Sequence, residues 1–255
     1  MQYIFKLSGL LIIISFSLFS SCGGPDNGIT DDGYNREVLL QEYSSLIQNT
    51  YGDLALELDA LNEVTNVFSA EKSTGNLEAL QNQFLTAYTK WQALDFLNIE
   101  AAADAYLVES ANTFPCDVDL IEDNIENAIT NLEPINQFVA QGFPAIDYIL
   151  FNGENETVLE QLQNQNRLDY LILLVIRLNN KNKQVVDAWS ANYQAFINDS
   201  GSDAGSSIAA LFNAIVKNFE RRTRDAKVGI PAGLRTDNII QLNQVEAQYA
   251  KQNLV

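Results

Sequence analysis

The chain has 255 residues, 47% of them apolar and 19% charged, which is enough apolar side chain for a packed core and too much for a disordered chain. With 33 acidic and 15 basic residues its formal charge is −18, a sign that excludes nucleic acid as a natural partner and opposes electrostatic attachment to an anionic membrane. It has no histidine, which excludes a Ser-His-Asp triad, a Cys-His pair and any His-ligated zinc or iron centre; a metal would need Asp, Glu, Tyr or backbone oxygens, the donors of hard cations.

Residues 1–21 read as a secretory signal: Lys6, then an apolar run over 7–19, then Ser20 and Ser21. The run is shorter than the ~20 residues of a membrane-spanning helix. The small residues before Cys22 resemble a bacterial lipobox, which implies that Cys22 becomes the lipidated first residue of the mature chain. Residues 22–33 then form the lipidated cysteine and a flexible tether of Gly, Asp and Asn. Loss of residues 1–21 removes Lys6 and no acid, leaving a formal charge of −19. Cys116 is the other thiol, and with no cation beside it in sequence it reads as structural.

Residues 34–255 read as all-α. Apolar steps of three and four predict a first helix over 34–70, a turn over 73–76 and a second helix over 77–98. Residues 99–115 are ambiguous. Asp117 caps a third predicted helix that runs to about Leu132, where Pro134 ends or kinks it. A short helix over 142–151 follows, with Pro144 at its first position and Asp147 near its first turn. Thr157 and Glu160 fit a capping box that opens a long helix to 198, apolar all round from Leu171 to Ile176. The Gly, Ser and Asp stretch over 199–207 is a loop or a boundary between bundles. A helix over 207–225 and one capped by Asp237 complete the chain.

Three features carry candidate chemistry. Asp147 either complements the dipole of its own helix or contacts a ligand. Arg221, Arg222, Arg224 and Lys227 either stabilise the carbonyl end of a helix or clamp an anion. Trp91, Phe143, Tyr148 and Trp189 lie on apolar stripes, where aromatic side chains belong to a core.

The stretch Gly142-Phe143-Pro144-Ala145-Ile146-Asp147-Tyr148-Ile149-Leu150-Phe151 resembles the signature of imelysin-like proteins, the peptidase M75 family, which reads Gly-x-His-x-x-Glu. Three other stretches agree with it. Residues 227–233 resemble the family's Gly-x-Pro-x-Gly loop, 244–249 its Val-Glu-x-x-Tyr helix, and Trp91 its early tryptophan. The resemblance implies a four-helix bundle beside a second bundle that is incomplete here, with apolar faces near Ile239, Ile240 and Leu242 left open. It also implies an exported or lipid-anchored place in the bacterial envelope, periplasmic or at the surface, and a link to iron uptake.

It implies Gly142, Pro144, Asp147, Trp91, Arg221 and Glu246 as ligand-binding residues, with Asp147 the residue to contact a metal. Pro144 stands where the family has its histidine, and Asp147 stands for its glutamate one methylene shorter. The preferred expectation is a non-catalytic, lipid-anchored binding protein for a small ligand or a cation such as iron. The alternatives are an M75-type metallopeptidase and a scaffold for an envelope protein partner.

Overall fold

Side chains three and four apart line up on one face of a helix, and here those faces meet one another. The computed structural model describes residues 35–94, 96–235 and 246–252. Glu37–Val255 form one compact unit; of residues 1–36 only Asn35 and Arg36 are described, so Cys22 lies outside the described residues.

Helix α1 (Arg36–Ala70) turns Leu40, Ile47, Tyr51, Leu54, Leu58, Leu61 and Phe68 inward. Helix α2 (Thr74–Gln92) buries Leu77, Leu80, Phe84, Tyr88 and Trp91. Three short helices follow, α3 (Ala101–Asp104), α4 (Leu107–Ala111) and α5 (Val118–Glu126), then a 3₁₀ turn over Ile135–Ala140. Helix α6 (Gly142–Phe151) is buried along nearly its whole length. After α7 (Asn155–Gln161) comes the long α8 (Gln165–Asn198), then α9 (Ser207–Asn218), which continues as a π-helix over Phe219–Gly229.

The cross-links between helices give their directions. Between α1 and α2, Lys90 pairs with Asp53 at 3.1 Å and Gln83 Nε2 donates to Glu57 at 2.9 Å. Between α1 and α8, Trp189 Nε1 donates to the Ser44 carbonyl at 3.4 Å and Asn182 to that of Tyr51 at 3.2 Å. Helix α6 meets α2 where Phe143 stacks on Tyr88 at 4.7 Å and Gln81 donates to the Leu150 carbonyl at 2.7 Å. It meets α8 where Arg177 Nε donates to Gln141 at 2.5 Å and Arg167 covers the Tyr148 ring. In each pair one numbering rises as the other falls. Helices α1, α2, α6 and α8 therefore close an antiparallel four-helix bundle with α6 as its short member.

Several predicted boundaries move, each for a local reason. Helix α2 starts at Thr74 because Ser73 is its N-cap, accepting the Asn76 N–H at 3.3 Å. Replacing Ser73 with Ala removes that acceptor and is expected to cost about 1 kcal/mol in urea denaturation, with no change in m-value. Asp117 does cap α5, but the helix ends at Glu126, and Ala128 then adopts φ 49°. The expected capping box at Thr157 is absent: α7 starts two residues earlier, and Asn164 restarts the chain as α8, accepting the N–H groups of Asn166 and Arg167. In the apolar stretch of α8, Leu171, Leu174 and Val175 are buried and Ile172 and Leu173 half-buried, so it is covered on several sides, with Ile176 left 41% exposed. The helix predicted to stop at 225 winds on to Gly229. The helix expected through Glu246 and Tyr249 is instead a turn closed by an antiparallel bridge between Ala247 and Gln252. Asp237, Ile239, Ile240 and Leu242 lie outside the described residues.

Candidate functional site

The start of α6 depends on one glycine. Gly142 has φ +72°, and a Cβ there would lie 2.3 Å from the Ala111 carbonyl oxygen at the end of α4. Pro144 is the third helical residue rather than the first, and it is tolerated because the first four N–H groups of a helix have no partner within it. Asp147 consequently falls in the second turn, beyond reach of the positive helix end, and is 1% exposed.

Its partners come from residues 246–252, a short strap laid across the bundle. Asp147 Oδ2 accepts the Tyr249 N–H at 2.9 Å and Oδ1 accepts the Ala250 N–H at 3.0 Å. Burial raises the carboxyl pKa to about 7 in spite of these two amides, which act in the opposite direction. Here the desolvation of the charge outweighs the two hydrogen bonds.

Around Asp147 the strap is held mainly through its own backbone and ring. Tyr88 on α2 donates its hydroxyl to the Glu246 carbonyl at 2.6 Å and lies 3.0 Å from Asn112 Oδ1. Burial holds the Tyr88 phenol well above its usual pKa, so it is a donor across the physiological range. Lys227 pairs with the Glu246 carboxylate at 3.2 Å. Ala247 is fully buried, and the Tyr249 ring meets Tyr148 edge-on at 5.0 Å. Tyr148 in turn donates to Glu122 at 2.5 Å, and Arg167 Nη1 reaches both Glu122 oxygens at 2.7 and 3.0 Å. A groove of about 510 Å³ opens beside the strap, lined by Gln81, Glu154, Asn155, Gln248 and Tyr249.

Of the expected binding residues, Gly142, Pro144 and Asp147 share α6, and Glu246 lies in the strap that covers Asp147. Trp91 sits one turn from Tyr88 in the core, its ring 5.8 Å from Phe143 and its indole N–H without an acceptor among the described residues. Arg221 is 76% exposed and pairs with Asp225 at 3.9 Å. Its neighbour Arg222 turns inward and donates to the Asn112 carbonyl at 3.1 Å. Successive residues of a helix face different directions, so the cluster Arg221 to Lys227 named the region without naming the member. Tyr88 falls within the predicted second helix and Asn112 within the ambiguous stretch 99–115, and nothing in the sequence marks either as a partner of the strap. Cys116 is half-buried and burial lifts its thiol to about 11, so it is protonated at neutral pH.

A resident cation at Asp147 does not fit this donor set. Pro144 offers no donor, both carboxylate oxygens receive main-chain N–H groups, and no group of three or more Asp, Glu, Cys or His gathers among the described residues. No helix among them is long and apolar enough to cross a membrane.

The sequence model of the family described as Imelysin, Peptidase_M75, matches residues 47–255. Among solved structures, an imelysin-like protein from Psychrobacter arcticum superposes with a TM-score of 0.61 at 19% identity, over 79% of this chain and 64% of that one. An iron-regulated protein A precursor from Parabacteroides distasonis gives 0.65 at 18% identity, over 86% of this chain and 68% of that one. The chain spans about two thirds of the length of these neighbours, and at such identities the likeness is one of fold. No curated protein sequence matches the chain.

Proposed function

Because the chain belongs to the imelysin (Peptidase_M75) family, we propose that it is a non-catalytic, lipid-anchored binding protein of the bacterial cell envelope, with its ligand site built on Asp147. The observation that carries this reading is the state of Asp147 itself. The acid at the signature position is 1% exposed and covered by main-chain N–H groups of the strap. A hydrolytic centre needs a carboxylate or metal that reaches water and substrate. A carboxylate aimed at N–H donors is instead equipped to hold something in place.

The signal over 1–21 and Cys22 support the anchor, and the likeness to an iron-regulated precursor supports a place in iron uptake. The metallopeptidase reading would need a second carboxylate to converge on Asp147. The site pairs Glu246 with Lys227 instead.

Thermal shift measurements with ferric citrate and haemin test the binding. At least one is expected to raise the Tm of the wild-type chain and to leave that of Asp147→Asn unchanged; no shift with either ends the small-ligand version. Replacing Cys22 with Ser is expected to move the protein from the detergent phase to the aqueous phase on cell fractionation. Retention in the detergent phase would rule out lipidation at that residue.

A further inference from the structure

The strap shows what kind of ligand the Asp147 site is shaped to hold. Three of its hydrogen bonds to the bundle are made by main-chain groups: the Glu246 carbonyl to Tyr88, and the Tyr249 and Ala250 N–H groups to the two oxygens of Asp147. Such contacts read a peptide backbone whatever its side chains, and side-chain slots then add selectivity. Two slots are present. Ala247 fills one completely, and the Tyr249 ring lies against Tyr148 in the other.

The strap is also weakly built. It contains no helix, its internal pairing is the single bridge from Ala247 to Gln252, and Gln248, Lys251 and Gln252 are exposed. Lys251 has φ 55°, a left-handed conformation that costs a side chain roughly 1–2 kcal/mol and that glycine adopts freely. An element with few buried contacts and a strained residue belongs to the low-stability end of a fold, where local opening is easiest.

The geometry points to a peptide-binding site around Asp147, Tyr88 and Tyr148 that residues 246–252 occupy in cis. Its ligand class is a short peptide with a small residue at the 247 position, an aromatic one at the 249 position and glycine at the 251 position. This inference rests on the reading of Asp147 as the binding centre and names its ligand as peptide main chain. A competing peptide must displace the strap, whose tether keeps it at a high effective concentration.

The test uses the full chain with the strap loosened. In Ala247→Asp a charge is forced into the buried slot; in Lys227→Glu, should the first variant not fold, the ion pair to Glu246 becomes a repulsion with no change in the core. A labelled synthetic peptide of the 246–252 sequence is titrated into each by fluorescence anisotropy. Binding is expected to the loosened chains, at least tenfold weaker to wild type, and lost when Asp147→Asn is added. The same peptide with glycine at the 251 position is expected to bind about tenfold tighter.

Hydrogen exchange supplies an independent readout: the Tyr249 and Ala250 amides are expected to exchange at least tenfold faster in Asp147→Asn than in wild type. Equal peptide binding with and without Asp147 overturns the inference, as does its absence from both folded loosened chains. If the peptide fails while haemin or ferric citrate still binds through Asp147, the peptide inference falls and the binding reading stands. If both peptide and small ligands fail and the amides exchange alike, both fall.

Discussion

Replacing Gly142 with Ala is expected to destabilise the protein by roughly 2–5 kcal/mol, the sum of a left-handed backbone cost and overpacking. The backbone there has φ +72°, a conformation that Cβ disfavours. The larger effect is steric. The added Cβ would sit 2.3 Å from the Ala111 carbonyl oxygen and 2.5 Å from that of Ser110. Both are backbone atoms at the end of α4, so no side chain can swing aside to make room. Relief requires α4 and α6 to separate, and α6 carries Phe143, stacked on Tyr88, as well as Asp147. At about 2–4 °C per kcal/mol for a domain of this size, the Tm should fall by roughly 4–20 °C. Loss of Tyr249 and Ala250 amide protection should accompany it. A Tm within 2 °C of wild type would show that α4 does not press on α6 as described.

The second large effect is a pH dependence set by Asp147. Its pKa in the folded protein is about 7, against 3.8 for the free side chain. A carboxyl with a raised folded pKa binds its proton more tightly in the folded state, so stability falls as pH rises between those two values. At 1.36 kcal/mol per pH unit the loss is on the order of 4 kcal/mol, complete above about pH 7. The cause is desolvation beneath the strap; the Tyr249 and Ala250 amides recover only part of it. Other acids titrate over the same range, so the measurement is the difference between wild type and Asp147→Asn. About 2.7 kcal/mol of that loss falls between pH 5 and pH 8, so the variant should lose roughly 5–10 °C less in Tm than wild type over that range. Parallel Tm profiles would mean that Asp147 is solvated and that the strap does not cover it.

The bundle was legible because its cause is periodic. Leu54, Leu58 and Leu61 on α1 and Leu80, Phe84 and Tyr88 on α2 repeat at steps that only a helix brings to one face, and all are buried. Caps were legible where side chain and spacing agreed, as at Asp117, and were misread where two signals competed. At Thr157 and Glu160 a capping box was available, yet the chain broke later, at Asn164, whose side chain accepts two N–H groups. The π-winding after Asn218 left no mark in the spacing that distinguishes it from an α-helix.

The site divides in the same way. The sequence by itself determined the family resemblance, the absence of imidazole, the proline in place of the signature histidine, and an acid that needed a partner. These follow from residue identity and local order alone. Only the tertiary structure decided that Asp147 meets the amides of residues 102 and 103 positions away, that Tyr88 reaches the Glu246 carbonyl, and that Arg222 rather than Arg221 turns inward. Main-chain groups are the same at every residue, so no sequence pattern marks which N–H a distant carboxylate will accept; packing of the bundle fixes that choice.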